Sequence, residues 1–209
     1  MPKDGKPTRD KILKHSKDLV LDRGFNGTSI DMILERTGIS KGTFLYHFRS
    51  KNDLARALMD EYIVHDDQDR KKALLATSKI DDPLERFLAF IQVFIDDMEK
   101  LTEPYSGCLY ASYTYEPGQF DTEIRQKIVE AFIEWEHTIG GMLDLIYAKY
   151  KPQMEVDKKT LATLFSTVFE GALIVSKATN DALLTASHLK HFKNYIELLF
   201  RKTGHPSHT

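Results

Sequence analysis

The chain has 209 residues, 42% of them apolar and 29% charged, the balance of a globular protein with a core of its own. It contains no unbroken run of 18 apolar residues, the length a membrane span requires. The amino end, MPKDGKPTRDK, lacks the apolar middle of a signal peptide. A single cysteine forms no internal disulfide, which fits a reducing cytoplasm.

The formal net charge of −2 conceals an asymmetry. Residues 1–56 carry 12 Lys+Arg against 7 Asp+Glu, and the remainder carries 17 against 24. Only the first segment therefore suits a polyanion.

Helical periodicity dominates and strand-like alternation is scarce. The first helix is predicted over residues 8–23, with Ile12, Leu13, Leu19 and Val20 toward a core. Gly24 then supplies a stop. Thr28, Ser29, Ile30 and Asp31 read as a capping box opening a short second helix that carries Ile30, Ile33 and Leu34. Thr37-Gly38-Ile39-Ser40 makes a turn, and Ser40 caps a third helix ending near Phe48. Ser50 and Asp53 repeat the capping pattern at the head of a fourth helix running to about Leu75.

Asp82-Pro83 starts a fifth helix, because proline at the first helical position loses no needed hydrogen bond. Leu84, Phe87, Leu88, Ile91, Phe94, Ile95 and Met98 follow at helical spacing, and Phe90 and Val93 broaden the stripe. A tyrosine-rich helix around 107–115 stops at Pro117-Gly118. A long one over 122–150 sets Ile128, Phe132, Trp135, Ile139, Leu143 and Ile146 along one face. Two more cover about 157–178 and 186–201. The expected fold class is all-α, with about nine helices: a helix-turn-helix domain over 1–50, then a helical domain over 51–209. Residues 1–7 and 204–209 are expected to fray.

The stretch GISKGTFLYHFRSKNDL, residues 38–54, holds the most informative chemistry. A phosphate-binding loop would end in Gly-Lys-Ser/Thr after a strand. Here Lys41 precedes Gly42, and no strand comes before it. A helix-turn-helix fits: Gly38 sits in the turn, Ile39 and Phe44 anchor it, and Ser40, Lys41, Gly42 and Thr43 open the second helix of the unit. Small and basic residues there allow close approach to bases and phosphates. Phe44 and Phe48 fall on the inward face, and Lys11, Lys14 and Lys17 read as a solvated one.

Residues 8–56 resemble the DNA-binding domain of the TetR/AcrR family of bacterial transcription regulators. The likeness rests on G-I-S-K-G-T-F-x-Y-H-F-x-S-K-x-D-L, with Gly24-Phe25 and Thr28-Ser29-Ile30 upstream. Gly107-Cys108-Leu109 and Glu170-Gly171-Ala172-Leu173 also resemble segments found in one branch of that family. The resemblance implies phosphate contacts at Thr28 and Ser29. It places Lys41, Gly42, Thr43, Leu45, Tyr46 and His47 on the recognition helix and makes Lys51 a backbone-binding lysine. Many relatives carry tyrosine where this chain has Leu45, which can touch a thymine methyl but cannot hydrogen-bond a phosphate.

One such unit binds a half-site weakly, so a double-stranded operator calls for a homodimer. Leu161, Leu164, Phe165, Val168, Gly171, Ala172 and Val175 form one stripe near the carboxyl end, and Leu189, Phe192, Ile196 and Leu199 form another. The resemblance implies that these helices pair with their symmetry mates. Without it, an internal core explains the stripes equally well. Phe87, Phe90, Phe94, Met98, Tyr110, Tyr113, Trp135 and Phe169 are either ordinary core or the lining of a pocket for a small, largely apolar or aromatic effector.

Cys108 reads as an inert buried thiol rather than a redox sensor. His188 and His191, with His205 and His208, read as solvated rather than metal-binding. Asp66, Asp67 and Asp69 are expected to face water. No catalytic constellation, cofactor or metal site is expected. The expected function is a ligand-responsive, DNA-binding repressor in the cytoplasm, unattached to membranes. The rival is a DNA-binding regulator with no small-molecule effector, controlled by a protein partner or by expression level.

Overall fold

The computed structural model describes residues 5–116, 118 and 120–201; among them the chain forms nine α-helices and no strand. They are α1 (Lys6–Arg23), α2 (Ile30–Thr37), α3 (Lys41–His47), α4 (Lys51–Ala76), α5 (Pro83–Glu99), α6 (Leu109–Thr114), α7 (Thr122–Lys149), α8 (Lys158–Thr179) and α9 (Leu184–Phe200). The expected stop at Pro117, the ends at 1–4 and 204–209, and His205 and His208 lie outside the described residues.

Helix starts follow local chemistry. Ser29 and Ser40 each accept a backbone N–H at 3.1 Å, from Met32 and Thr43. Asp82 accepts from Leu84 and Glu85 at 2.9 and 3.0 Å, and Asp157 accepts from Thr160 at 2.7 Å. Each cap satisfies a donor that the first turn leaves unpaired and is worth about 1 kcal/mol. The capping box expected at Thr28 is displaced by one residue. Ser29 is the N-cap of α2, and the Thr28 hydroxyl turns back to donate to the Gly24 carbonyl at 2.9 Å. At α4 the pattern holds, with Asp53 N–H donating to Ser50 Oγ at 3.1 Å.

The helices gather into two compact units, Met1–Gln68 with Ser106–Glu130, and Asp69–Tyr105 with Ala131–Thr209. The sequence suggested a division inside or just before the fourth helix, near Lys51. There α4 begins and runs unbroken for 26 residues, about 39 Å at 1.5 Å per residue, starting in one unit and ending in the other.

In the first unit α1 packs on α2 and α6, and α2 packs on α3. Tyr113 of α6 is 1% exposed, with its ring stacked on Phe120 at 4.0 Å and edge-on to Phe25 at 5.7 Å. Its hydroxyl donates to the Ala55 carbonyl at 3.3 Å. These contacts bring α6 and the head of α7 into the same unit as the helix-turn-helix. Leu19, expected in the core, is only half-buried.

In the second unit α9 packs on α5 and α8. Its centre is aromatic: Trp135 stacks on Phe165 at 5.5 Å, and Phe94 meets both rings edge-on at 5.6 and 5.5 Å. Each ring so buried contributes about 1.5–3 kcal/mol of transfer free energy. On α7 the expected stripe is buried except for Phe132, which is 36% exposed. Ala131 takes its place on the inward face, between Ile128 and Trp135. Among the described residues α8 is the one helix long and apolar enough, by length and composition, to cross a membrane.

Candidate nucleic-acid interface

Gly38 ends α2 in the left-handed conformation, at φ 65° and ψ 25°, and its N–H donates to the Leu34 carbonyl at 2.8 Å. A side chain there would be strained, so glycine sets the corner between α2 and α3. Phe44 (0% exposed) and Phe48 (3%) anchor α3 from its inner side, with ring centroids 5.8 Å apart. Both phenylalanines lie where the helical spacing placed them.

The opposite face of α3 is open. Lys41 and Gly42 are exposed, Leu45 is 45% exposed, and Tyr46 is 81% exposed. Thr43 and His47 are half-buried. The Thr43 hydroxyl shares a hydrogen bond with Ser40 Oγ at 2.9 Å, and the His47 ring stands edge-on to Tyr46 at 5.0 Å. Ser29, at the head of α2, is exposed. A methyl group added at Gly42 would meet only Ser40 Oγ, at 3.8 Å. The protein's own packing therefore does not require glycine at this position.

Two of the expected DNA contacts have partners within the protein. Thr28 is 0% exposed, and its hydroxyl is spent on the Gly24 carbonyl, so it has no surface to offer a phosphate. The Lys51 ammonium donates to the Phe25 carbonyl and lies 4.2 Å from the centre of the Phe25 ring. Burial lowers the pKa of Lys51 from its ordinary value, and the nearby Glu116 carboxylate opposes that shift. In this conformation Lys51 braces the α1–α2 turn from within.

Glu116, which the sequence did not single out, braces the same turn from the α6–α7 connection. Its carboxylate accepts the Phe25 N–H at 2.7 Å and the Asn26 N–H at 2.8 Å. Gly24, at φ 74°, leaves room for it: a Cβ there would sit 2.6 Å from Glu116 Oε1. Ion pairs from Arg56 to Asp121 and, at 2.7 Å, from Lys127 to Asp60 also tie α4 to the head of α7 within the first unit. The Asp121 hydrogen bond is the main cause raising the Arg56 pKa, and the same bond lowers that of Asp121.

The residues expected to line one pocket are divided between the two units. Phe87, Phe90, Phe94, Met98, Trp135 and Phe169 belong to the second unit, and Tyr110 and Tyr113 belong to the first. Apart from the half-buried Phe169, all are at most 9% exposed. Many of these rings touch one another, stacked or edge-on. Tyr110 donates to Asp66 at 3.2 Å and meets Tyr62 edge-on at 4.9 Å, so Asp66 is not simply solvated. Two concave surfaces are found in the second unit. A groove of about 570 Å³ runs between α5 and α9, and a pocket of about 190 Å³ lies beside α7.

The expected dimer stripes divide as well. Leu189, Phe192, Ile196 and Leu199 are at most 4% exposed and Ala172 is 3% exposed, all within the protomer's own core. Leu164 and Val168 are half-buried, Gly171 is exposed, and Val175 is 46% exposed. Helical spacing aligns these four along an unfilled face of α8. Exposed Leu198 and half-buried Tyr195 lie on α9 outside its buried stripe. Cys108 is buried, His188 and His191 are exposed, and no metal-binding cluster occurs among the described residues.

Residues 12–58 match the family model described as bacterial regulatory proteins, tetR family, and residues 83–192 match the tetracyclin repressor-like C-terminal domain. An uncharacterized HTH-type transcriptional regulator of Lactococcus lactis subsp. lactis is 24% identical over 93% of this chain and 96% of its own length. The HTH-type transcriptional activator FasR of Mycolicibacterium smegmatis is 27% identical over 56% of this chain and 51% of its own. A solved TetR-family regulator from Agrobacterium tumefaciens superposes with a TM-score of 0.78 at 20% identity, over 95% of this chain and all of that one.

Proposed function

This chain belongs to the TetR family of bacterial regulatory proteins and is a DNA-binding transcriptional regulator rather than an enzyme; we propose that it is a repressor that binds a (pseudo)palindromic operator as a homodimer and is released by a small organic effector. The observation that carries the reading is the division of α3 into two faces. Phe44 and Phe48 fix the helix from beneath, while Lys41, Gly42, Leu45 and Tyr46 face outward. A tyrosine 81% exposed beside a glycine that the protein's packing does not need fits a surface built for an external partner. Lys41 supplies charge for phosphate, Tyr46 and Leu45 reach base edges, and Gly42 permits close approach of the backbone. Ser29 adds a hydroxyl at the head of α2. Thr28 and Lys51 act indirectly, by holding the turn that orients α2.

The dimer reading is supported by α8, whose stripe of Leu164, Val168, Gly171 and Val175 is incompletely covered within the protomer. Gly171, with open space around it, lets a partner backbone approach. Repression is supported by the match of residues 83–192 to a tetracyclin repressor-like domain. The similarity to the activator FasR shows that activation is the alternative polarity to be measured. Coupling runs along α4, one uninterrupted helix from the braced turn at Lys51 to Ala76.

Fluorescence anisotropy with a selected operator tests the reading. The expected result is two chains per site and an affinity that falls steeply as salt rises. One chain per site, or binding indifferent to salt, contradicts it. Screening small organic molecules for release of that complex separates effector control from the effector-free alternative.

A further inference from the structure

Within the first unit the start of α1 lies beside the end of α3. A Cβ built on Gly5 would sit 3.1 Å from His47 Cε1 and 3.8 Å from Tyr46 Cε1. The first residue of the α1 turn therefore backs the edge-on ring pair at the end of α3. One turn further on, on the same side of α1, the Arg9 guanidinium lies over the Phe48 ring, 5.4 Å from its centroid. Phe48 is 3% exposed and Arg9 is exposed, so the ring forms a floor under the guanidinium. A guanidinium lying over a ring keeps its in-plane N–H donors for another partner.

The charge here is not balanced within the protein. In the same unit Arg23, Arg56 and Lys127 pair with Asp22, Asp121 and Asp60. Arg9, Lys41 and Arg49, by contrast, are exposed and form no ion pair among the described residues. Lys41 opens α3, while Arg49 follows its C-cap Phe48 and Arg9 lies over that same ring, so the cations stand at both ends of the helix. With seven residues, α3 is about 10 Å long at 1.5 Å per residue. The major groove of DNA is about 12 Å wide. A helix of that length seated in the groove brings the cations at its ends toward the phosphates that border it.

We propose that Arg9 binds a phosphate bordering the major groove and so extends the nucleic-acid interface from α2 and α3 onto α1. The contact is with the DNA backbone, so it adds affinity for any sequence and no base preference. Phe48 serves it by restricting the long Arg9 side chain beforehand, which reduces the entropy lost when the phosphate binds. The inference rests on the assignment of the outward face of α3 to DNA. Lys11 supplies an internal control: it is also exposed, but lies about 200° around the helix from Arg9.

Fluorescence anisotropy of the full chain over a salt series tests the contact, on a selected operator and on an unrelated duplex of equal length. Arg9→Gln weakens binding to both duplexes by the same factor, about threefold to tenfold. It also shallows the slope of log affinity against log salt by about one for each chain bound. Arg9→Lys retains the charge and keeps the parent slope, and Lys11→Gln keeps both slope and affinity. A purely structural role for Arg9 would lower affinity without moving the slope. The proposal is overturned if Arg9→Gln keeps the parent slope, if Arg9→Lys shallows it equally, or if Lys11→Gln shallows it as much. A steep parent slope that Arg9→Gln reproduces removes Arg9 alone from the interface. A parent whose binding is indifferent to salt overturns the reading of the α3 face as well.

Discussion

Replacing Glu116 with alanine removes the carboxylate that accepts two successive amides of the α1–α2 turn. The bond from Phe25 N–H is partly buried, at 2.7 Å, and the bond from Asn26 N–H is exposed, at 2.8 Å. A hydrogen bond to a charged group contributes roughly 1.5–3 kcal/mol when shielded, and much less where water can replace it. The two together therefore hold the turn by about 2 kcal/mol. At 1.4 kcal/mol per factor of ten, local opening of the turn becomes about 30-fold more frequent. Amide hydrogen exchange resolved at Phe25 and Asn26 reads this directly, and operator affinity falls with it because α2 begins just beyond the turn. Glu116→Gln keeps an acceptor but loses the charge, and falls between. Unchanged protection at both amides in a folded Glu116→Ala protein would refute the bracing role.

Other outcomes follow from the same geometry. Phe44→Ala empties a fully buried site and costs about 3–5 kcal/mol. Tyr46→Ala, at an 81% exposed site, leaves denaturant stability within about 0.5 kcal/mol while abolishing specific operator binding in a gel-shift assay. Val175→Lys places a charge on the open face of α8 and shifts the protein toward monomer in sedimentation, with its helical circular dichroism retained. Hydrogen bonds from Lys149, first, and Tyr150 hold the Asp82 pKa below its ordinary value. A carboxylate so lowered adds stability above its unfolded pKa and loses it as pH falls through the folded value. Asp82→Asn is therefore less stable near neutrality and shows a shallower loss between about pH 5 and pH 2 in urea titrations.

What the sequence made legible was local. Asp82-Pro83, Ser40 and Gly38 act on amides within a few residues, so helix starts and the turn could be read from neighbours alone. The step from Thr28 to Ser29 as the N-cap of α2 is a local error, since adjacent hydroxyls offer the same chemistry and backbone direction chooses between them. Glu116 was not legible, because its partners lie about 90 residues away and many carboxylates could equally have served. Periodicity also shows that a face is apolar without showing what covers it. The α9 stripe, which fitted a partner chain or an internal core equally well, is covered by its own protomer, while the adjoining stripe of α8 is left partly open. Aromatic composition likewise does not say which ring meets which: Tyr113 packs with Phe25 and Phe120, and Phe94 packs with Trp135. The bond from the Lys51 ammonium to the Phe25 carbonyl was not legible for a related reason, since its partner lies 26 residues away.

Selection of bound sites from random double-stranded DNA, run in parallel with the parent protein and Tyr46→Ala, tests the central claim most directly. The parent recovers an inverted repeat whose half-sites lie on one face of the duplex, with centres about 34–36 Å apart or a multiple of that. Tyr46→Ala, folded to the same extent, recovers no such repeat. Failure of the parent to enrich any sequence, or an enriched repeat that Tyr46→Ala binds equally tightly, would contradict the assignment of the outward face of α3 to the operator.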